Sequence, residues 1–158
     1  MECLVFSRKE IETAPAPSVP YIVISITTSP TDRARVPQSL HCLGVLRLAF
    51  FDVDLPVQSD EPDGLFSIQD AQQIWDFVLP KLSQLRCIMV HCRAGRSRSP
   101  AVAAALISIL RGDALDFFER YQPNTRVYRM LREVYHTTYA STSPTQPQPN
   151  PEATNKSR

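Results

Sequence analysis

Apolar residues along this chain fall into short blocks with two different periods. Tyr21-Ile22-Val23-Ile24-Ser25-Ile26 is β-branched and almost wholly apolar, the pattern of a strand covered on both faces. Leu46, Leu48 and Phe50 alternate with Arg47 and Ala49, which predicts a second strand ending at Phe51-Asp52. Cys87-Ile88-Met89-Val90 reads as a third, short and buried. Between the last two the period lengthens: Ile68, Ala71, Trp75, Val78 and Leu82 share one face at helical spacing. Ser67 is the expected N-cap of that helix, with Asp70 in its first turn at the positive end of the dipole. Pro80 should kink or shorten it.

A second helix starts near Ser99-Pro100, since proline is tolerated in a first turn. It runs through Ala101–Ile107 and stops at Gly112. Apolar on nearly every side, it should be buried. Two amphipathic helices follow, around Asp113–Tyr121 and Thr125–His136, the latter capped by Asn124. Strands alternating with helices predict an α/β fold with a mostly parallel central sheet flanked by helices. At 158 residues the chain suits one domain.

From Ala140 to Arg158 prolines mix with Ser, Thr, Gln and Asn, and no aliphatic residue is larger than alanine. The expected organisation is therefore a body over 1–139 and a disordered tail over 140–158. The tail holds Lys156 and Arg158 against Glu152, so the body is neutral and the whole chain carries only +1. Nothing global argues for a nucleic-acid partner. No apolar run approaches the roughly 18 residues of a membrane span. Met1–Phe6 is unlike a secretory leader. Cys3, Cys42, Cys87 and Cys92 form no Cys-x-x-Cys pair, and His41, His91 and His136 have no zinc-ligand spacing. A disulfide framework is not expected, and the reading is a reducing, cytoplasmic protein.

The chemistry is concentrated in His91-Cys92-Arg93-Ala94-Gly95-Arg96-Ser97-Arg98-Ser99-Pro100, which joins the third strand to the buried helix. In a strand–loop–helix turn, successive backbone N–H groups of Arg93, Ala94, Gly95, Arg96 and Ser97 can face inward as an anion nest, backed by the helix dipole. Gly95 suits a tight turn. Arg98 can fork two donors onto two phosphate oxygens. The dipoles that bind phosphate also favour the thiolate of Cys92, placed for in-line attack on phosphorus. Ser99 is a candidate hydroxyl donor to that sulfur, and His91 a candidate for orienting the loop.

This loop resembles the Cys-x5-Arg signature of the protein-tyrosine-phosphatase superfamily. The His-Cys-x-Ala-Gly-x-Ser-Arg-Ser-Pro form is similar to that of dual-specificity phosphatases. Phe51-Asp52-Val53-Asp54, Gly112-Asp113 and Pro123-Asn124-Thr125-Arg126-Val127-Tyr128-Arg129 add a resemblance to small bacterial phosphatases of this group, spanning roughly residues 20–130. The resemblance implies hydrolysis without metal or other cofactor through a phosphocysteine, with a general-acid aspartate on a mobile loop. Asp54, just past the second strand, is the expected acid; Asp60 matches the family spacing better, and Asp52 and Asp63 lie in the same stretch.

The substrate expected is a phosphorylated protein, foremost on tyrosine and also on serine or threonine, or a small phosphoester. Arg93 and Arg96 leave open a phosphoinositide or phospholipid, because the loop is also similar to Cys-Lys-Ala-Gly-Arg-Ser-Arg-Ser of mitochondrial phosphatidylglycerophosphate phosphatases. Two further readings are a pseudophosphatase that only binds phosphate and an arsenate reductase drawing on a second cysteine such as Cys87. Against the first, Cys92, Gly95, Arg98 and Ser99 are all present.

Overall fold

The structure, a computed structural model, describes residues 1–142. Four strands form one sheet: β1 (Glu2–Phe6), β2 (Tyr21–Thr27), β3 (Cys42–Ala49) and β4 (Cys87–His91). Their spatial order is β1-β4-β2-β3 and all three pairings are parallel, so the α/β fold with a parallel sheet is as the patterning predicts. The helices are α1 (Arg8–Thr13), α2 (Ile68–Val78), α3 (Arg98–Arg111), α4 (Leu115–Arg120) and α5 (Thr125–Val134). No helix among the described residues is long and apolar enough to cross a membrane.

Alternation along β2 divides the core. Ile22, Ile24 and Ile26 face α2, α3 and α5, whereas Tyr21 and Val23 face Ile11 of α1 and Val36 on the other side. Each fully buried aliphatic of this kind contributes about 1.5–3 kcal/mol through removal from water. Trp75 is completely buried, its indole N–H donating to Leu131 O at 2.8 Å, which ties α2 to α5.

The capping expectations hold in detail. Ser67 and Asp70 form a reciprocal capping box at α2, Asn124 Oδ1 accepts from Val127 N at α5, and Gly112 closes α3 with φ 87°. Pro80 falls in a 3-10 turn over Leu79–Lys81, so α2 ends at Val78.

Several boundaries differ from the expectation. The second strand ends at Ala49 rather than Phe51-Asp52, because Phe51 N donates to Gly64 O at 2.7 Å and draws the chain off the sheet. Ile68, counted on the apolar face of α2, is exposed, while Ile74 is buried. The third of the later helices keeps α-geometry only to Val134 and continues as a π-helical segment, Tyr135–Tyr139, then a 3-10 turn, Ala140–Thr142. The N-terminal segment is an edge strand, followed by α1 under a Ser7–Glu10 capping box. The expected tail lies, from residue 143 onward, outside the described residues.

Candidate active site

Strand β4 lies between β1 and β2 and delivers its C-terminal end into the loop 92–97, after which α3 begins. Ligands of open parallel sheets bind beyond the carboxyl ends of central strands, where the order of connection reverses. Alternation in β4 places Ile88, Val90 and Cys92 toward α2, α3 and α5. His91 is turned to the opposite face.

Cys92 is 2% exposed. Its sulfur accepts from Gly95 N at 3.3 Å and lies 3.1 Å from Ser99 Oγ. The loop is held from outside by its carbonyls: Arg93 O accepts from Arg8 N (3.1 Å), Arg96 O from Gln122 N (3.0 Å), and Ser97 O from Asn124 N (3.1 Å). In a trans peptide the N–H points opposite the C=O. The N–H groups of Ala94, Ser97 and Arg98 are thereby turned away from those outside partners.

Gly95 takes φ 67°, and a Cβ there would stand 2.6 Å from Ser7 N and 2.8 Å from Phe6 C. Only glycine lets the loop lie against the β1–α1 junction, where Cys92 N also donates to Phe6 O at 3.3 Å.

Arg98 is buried. Its Nη1 donates to Phe50 O (2.8 Å) and Thr28 Oγ1 (3.3 Å), while its Nε is buried without a partner. Leaving a buried donor unpaired costs about 1–3 kcal/mol, so an anion accepting from this guanidinium recovers that cost.

His91 is fully buried, and burial pushes its pKa down to about 4, assisted by Arg8 and Arg47. The ring is therefore neutral near pH 7. Residues His91, Ser25 and Arg47 form one row across three strands, Ser25 being the register partner of both others. Arg47 Nη1 donates to Ser25 Oγ at 3.3 Å, and Ser25 Oγ lies 2.7 Å from His91 Nε2. Cys92 O, 3.5 Å from His91 Nδ1, can only accept, so the neutral ring carries its proton on Nδ1 and Nε2 accepts from Ser25 Oγ.

The acidic residues after β3 are distributed among different tasks. Asp52 Oδ1 accepts from Ser97 Oγ (2.8 Å) and Asn124 Nδ2 (2.9 Å), bracing the loop. Asp54, the acid expected from sequence, accepts from Thr125 N (3.2 Å) and Arg126 N (2.9 Å), capping α5 with both oxygens. Asp60 and Asp63 are exposed and make no hydrogen bond among the described residues. Glu61, next to Asp60, forms a two-pronged pair with Arg126 at 2.7 and 2.6 Å, and the same guanidinium donates to Phe66 O and Leu55 O. This pairing holds the Glu61 carboxyl down to about 2.

Arg93 and Arg96, read together in the sequence, diverge. Arg93 borders a cavity with Arg8, Thr28 and Asp32, and Arg96 a shallow depression with Phe118, Arg120 and Tyr121. The second-cysteine idea meets a burial difficulty. Burial pushes the thiols of both Cys3 and Cys87 up, that of Cys87 to about 11. Ser25 and Arg47 were not singled out as site residues from sequence, although Ser25 is the polar break in an otherwise apolar strand.

No protein-family model matches the chain, and no curated protein matches it in sequence. Solved structures do. Human DUSP28 matches at a TM-score of 0.54 with 17% identity, covering 89% of this chain and 95% of that one. PTPMT1, solved in complex with PI(5)P, matches at 0.50 with 17% identity, covering 77% of this chain and 80% of that one. By architecture, then, this chain has the fold of the dual-specificity and tyrosine phosphatases.

Proposed function

We propose that this chain hydrolyses phosphate monoesters through a phosphocysteine on Cys92, with phosphotyrosine in proteins as its main substrate and phosphoserine or phosphothreonine as secondary ones. The observation that carries this reading is the surroundings of one sulfur: Cys92 Sγ between Gly95 N–H and Ser99 Oγ, with the unpaired donor of Arg98 in the same loop motif.

The thiolate attacks phosphorus as the bond to the ester oxygen breaks. The equatorial oxygens accept from the N–H groups of Arg93 to Ser97 and from Arg98, so the stabilising dipoles are already oriented. The leaving oxygen takes a proton from a carboxylic acid on the 52–66 stretch. With Asp52 bracing the loop and Asp54 capping α5, we assign this acid to Asp60, exposed at the bend that Glu61 anchors, with Asp54 as the alternative. Water, deprotonated by the same carboxylate, then attacks the phosphocysteine. The P–S bond breaks, inorganic phosphate departs, and Ser99 donates to the returning thiolate.

The lipid alternative needs Arg93 and Arg96 to reach one polyanion, and their divergence favours the protein reading. Phosphate release from a phosphotyrosyl peptide and from a short-chain phosphoinositide, each with EDTA present, tests both. The expected result is faster release from the peptide, abolished in Cys92→Ser. Release surviving in Cys92→Ser, or none from folded wild type, overturns the mechanism; a faster lipid reaction overturns the substrate.

A further inference from the structure

Beside the phosphate loop is a cavity of about 380 Å³ at the C-terminal ends of β2 and β4. Arg8, Thr28, Asp32, His91 and Arg93 border it. Thr28 is the wall shared with the anion site, since its hydroxyl accepts from Arg98. Arg8 reaches the cavity because its backbone is pinned to the loop, Arg8 N donating to Arg93 O.

The guanidinium of Arg8 is not locked. Nη1 pairs with Asp32 at 2.6 Å, Nε with Glu12 at 3.2 Å, and Nη2 has only a 3.4 Å contact with Arg33 O. The Arg8–Asp32 pair is a third to a half exposed, and such pairs contribute roughly 0–1 kcal/mol. Arg8 can therefore exchange partners at little cost. Charge sets the class of guest. Two arginines and one aspartate give the wall a single net positive charge, His91 being neutral. Outside the cavity Glu12, which holds Arg8, and Arg47, which acts on His91, oppose one another. One carboxylate satisfies that charge; a dianionic phosphate overfills it.

We propose that this cavity receives an acidic side chain flanking the phosphorylated residue of the substrate, with Arg8 and Arg93 binding its carboxylate and Asp32 competing with it for Arg8. The proposal rests on the phosphatase reading above and adds a sequence preference to it.

The test compares phosphotyrosyl peptides carrying Glu or Gln at each flanking position. The quantity read is the ratio of kcat/KM for Glu over Gln within each protein, which cancels general effects of a substitution. Wild type is expected to favour Glu by about tenfold at one position, chiefly through KM, because the contact forms equally in the ground and transition states. Arg8→Gln should bring the ratio to one. Asp32→Asn should widen it and admit a second phosphoresidue at that position. The opposite signs matter: if the ion pair served only the fold, the ratio would keep its wild-type value in both variants. A wild-type ratio of one, or parallel shifts in the two variants, overturns the proposal, as does a soluble inositol bisphosphate outcompeting the Glu peptide. Calorimetric binding of the same peptides to Cys92→Ser reads the cavity without turnover. Discrimination there with no hydrolysis by wild type would sink the phosphatase reading and spare this one.

Discussion

Ser25 Oγ and His91 Nε2 lie 2.7 Å apart across adjacent parallel strands, and the serine is held on its other side by Arg47. The row orders one proton. With the serine hydroxyl given to Nε2, the imidazole N–H is left on the side of the Cys92 carbonyl. The first prediction follows. Ser25→Ala leaves Nε2 buried and unpaired, at a cost of about 1–3 kcal/mol, and lets the ring choose the other tautomer. We expect a fall in kcat of about tenfold with KM little changed, and slower alkylation of Cys92 by iodoacetamide at pH 7. Ser25→Thr, which keeps the hydroxyl, should restore most of both. Equal kinetics in Ser25→Ala and wild type would remove the row from the mechanism.

The two candidate acids separate by what each loses. Asp60→Asn should lower kcat for a phosphotyrosyl peptide by about 10²–10⁴, the range of general-acid catalysis. The loss should shrink for p-nitrophenyl phosphate, whose leaving group needs little protonation. Asp54→Ala should instead destabilise the fold by about 0.5–2 kcal/mol, the usual effect of removing a helix cap, with the leaving-group dependence unchanged. The opposite assignment in a paired comparison of urea midpoints and leaving-group series would return the role to Asp54.

What the sequence made legible is what is contiguous in it. The proposed nucleophile, nest and clamp lie within His91–Arg98, so the expectation forms without knowledge of the fold. The capping residues Ser67, Asn124 and Gly112 act on neighbours within a turn, and they too were readable. The capping contact of Asp54 was not, because its partners are the N–H groups of Thr125 and Arg126, more than seventy positions away. Ser25 and Arg47 become site residues only through strand register, which a one-residue slip would cancel. Strand β1 alternates weakly because it is an edge strand, half exposed along its length.

Stability should fall as pH falls toward the acid range, and His91 should account for part of it. Its folded pKa is lowered from 6.5 to about 4. Between these values the unfolded chain binds a proton that the folded chain refuses, so stability is complete above pH 6.5 and declines below it. By pH 4.5 the loss is on the order of 2–3 kcal/mol. Glu61, held down to about 2 by Arg126, titrates below this window. Urea unfolding between pH 7.5 and 4.5 should show the decline in wild type and a flatter curve in His91→Asn. Identical slopes would mean that the ring admits a proton without difficulty.

Two glycines share a left-handed backbone and differ in what surrounds them, which isolates the role of space at the loop 92–97. Gly95 has φ 67° and Gly112 φ 87°, so alanine at either carries the same left-handed strain of about 1–2 kcal/mol. At Gly112 nothing lies within 4 Å of an added Cβ. At Gly95 the new carbon meets the backbone at Ser7 and Phe6, which no side-chain rotation can relieve. Either the loop or the β1–α1 junction must shift, and the contact from Gly95 N to Cys92 Sγ shifts with it. Gly112→Ala is therefore expected to lower the urea midpoint while keeping kcat within about twofold. Gly95→Ala should reduce kcat/KM by at least about a hundredfold, the effect of losing one preorganised donor or more, in a protein whose circular dichroism remains that of wild type. Full activity in Gly95→Ala would mean that the β1–α1 junction yields without disturbing the nest, and that the brace from Phe6 and Ser7 is dispensable for catalysis.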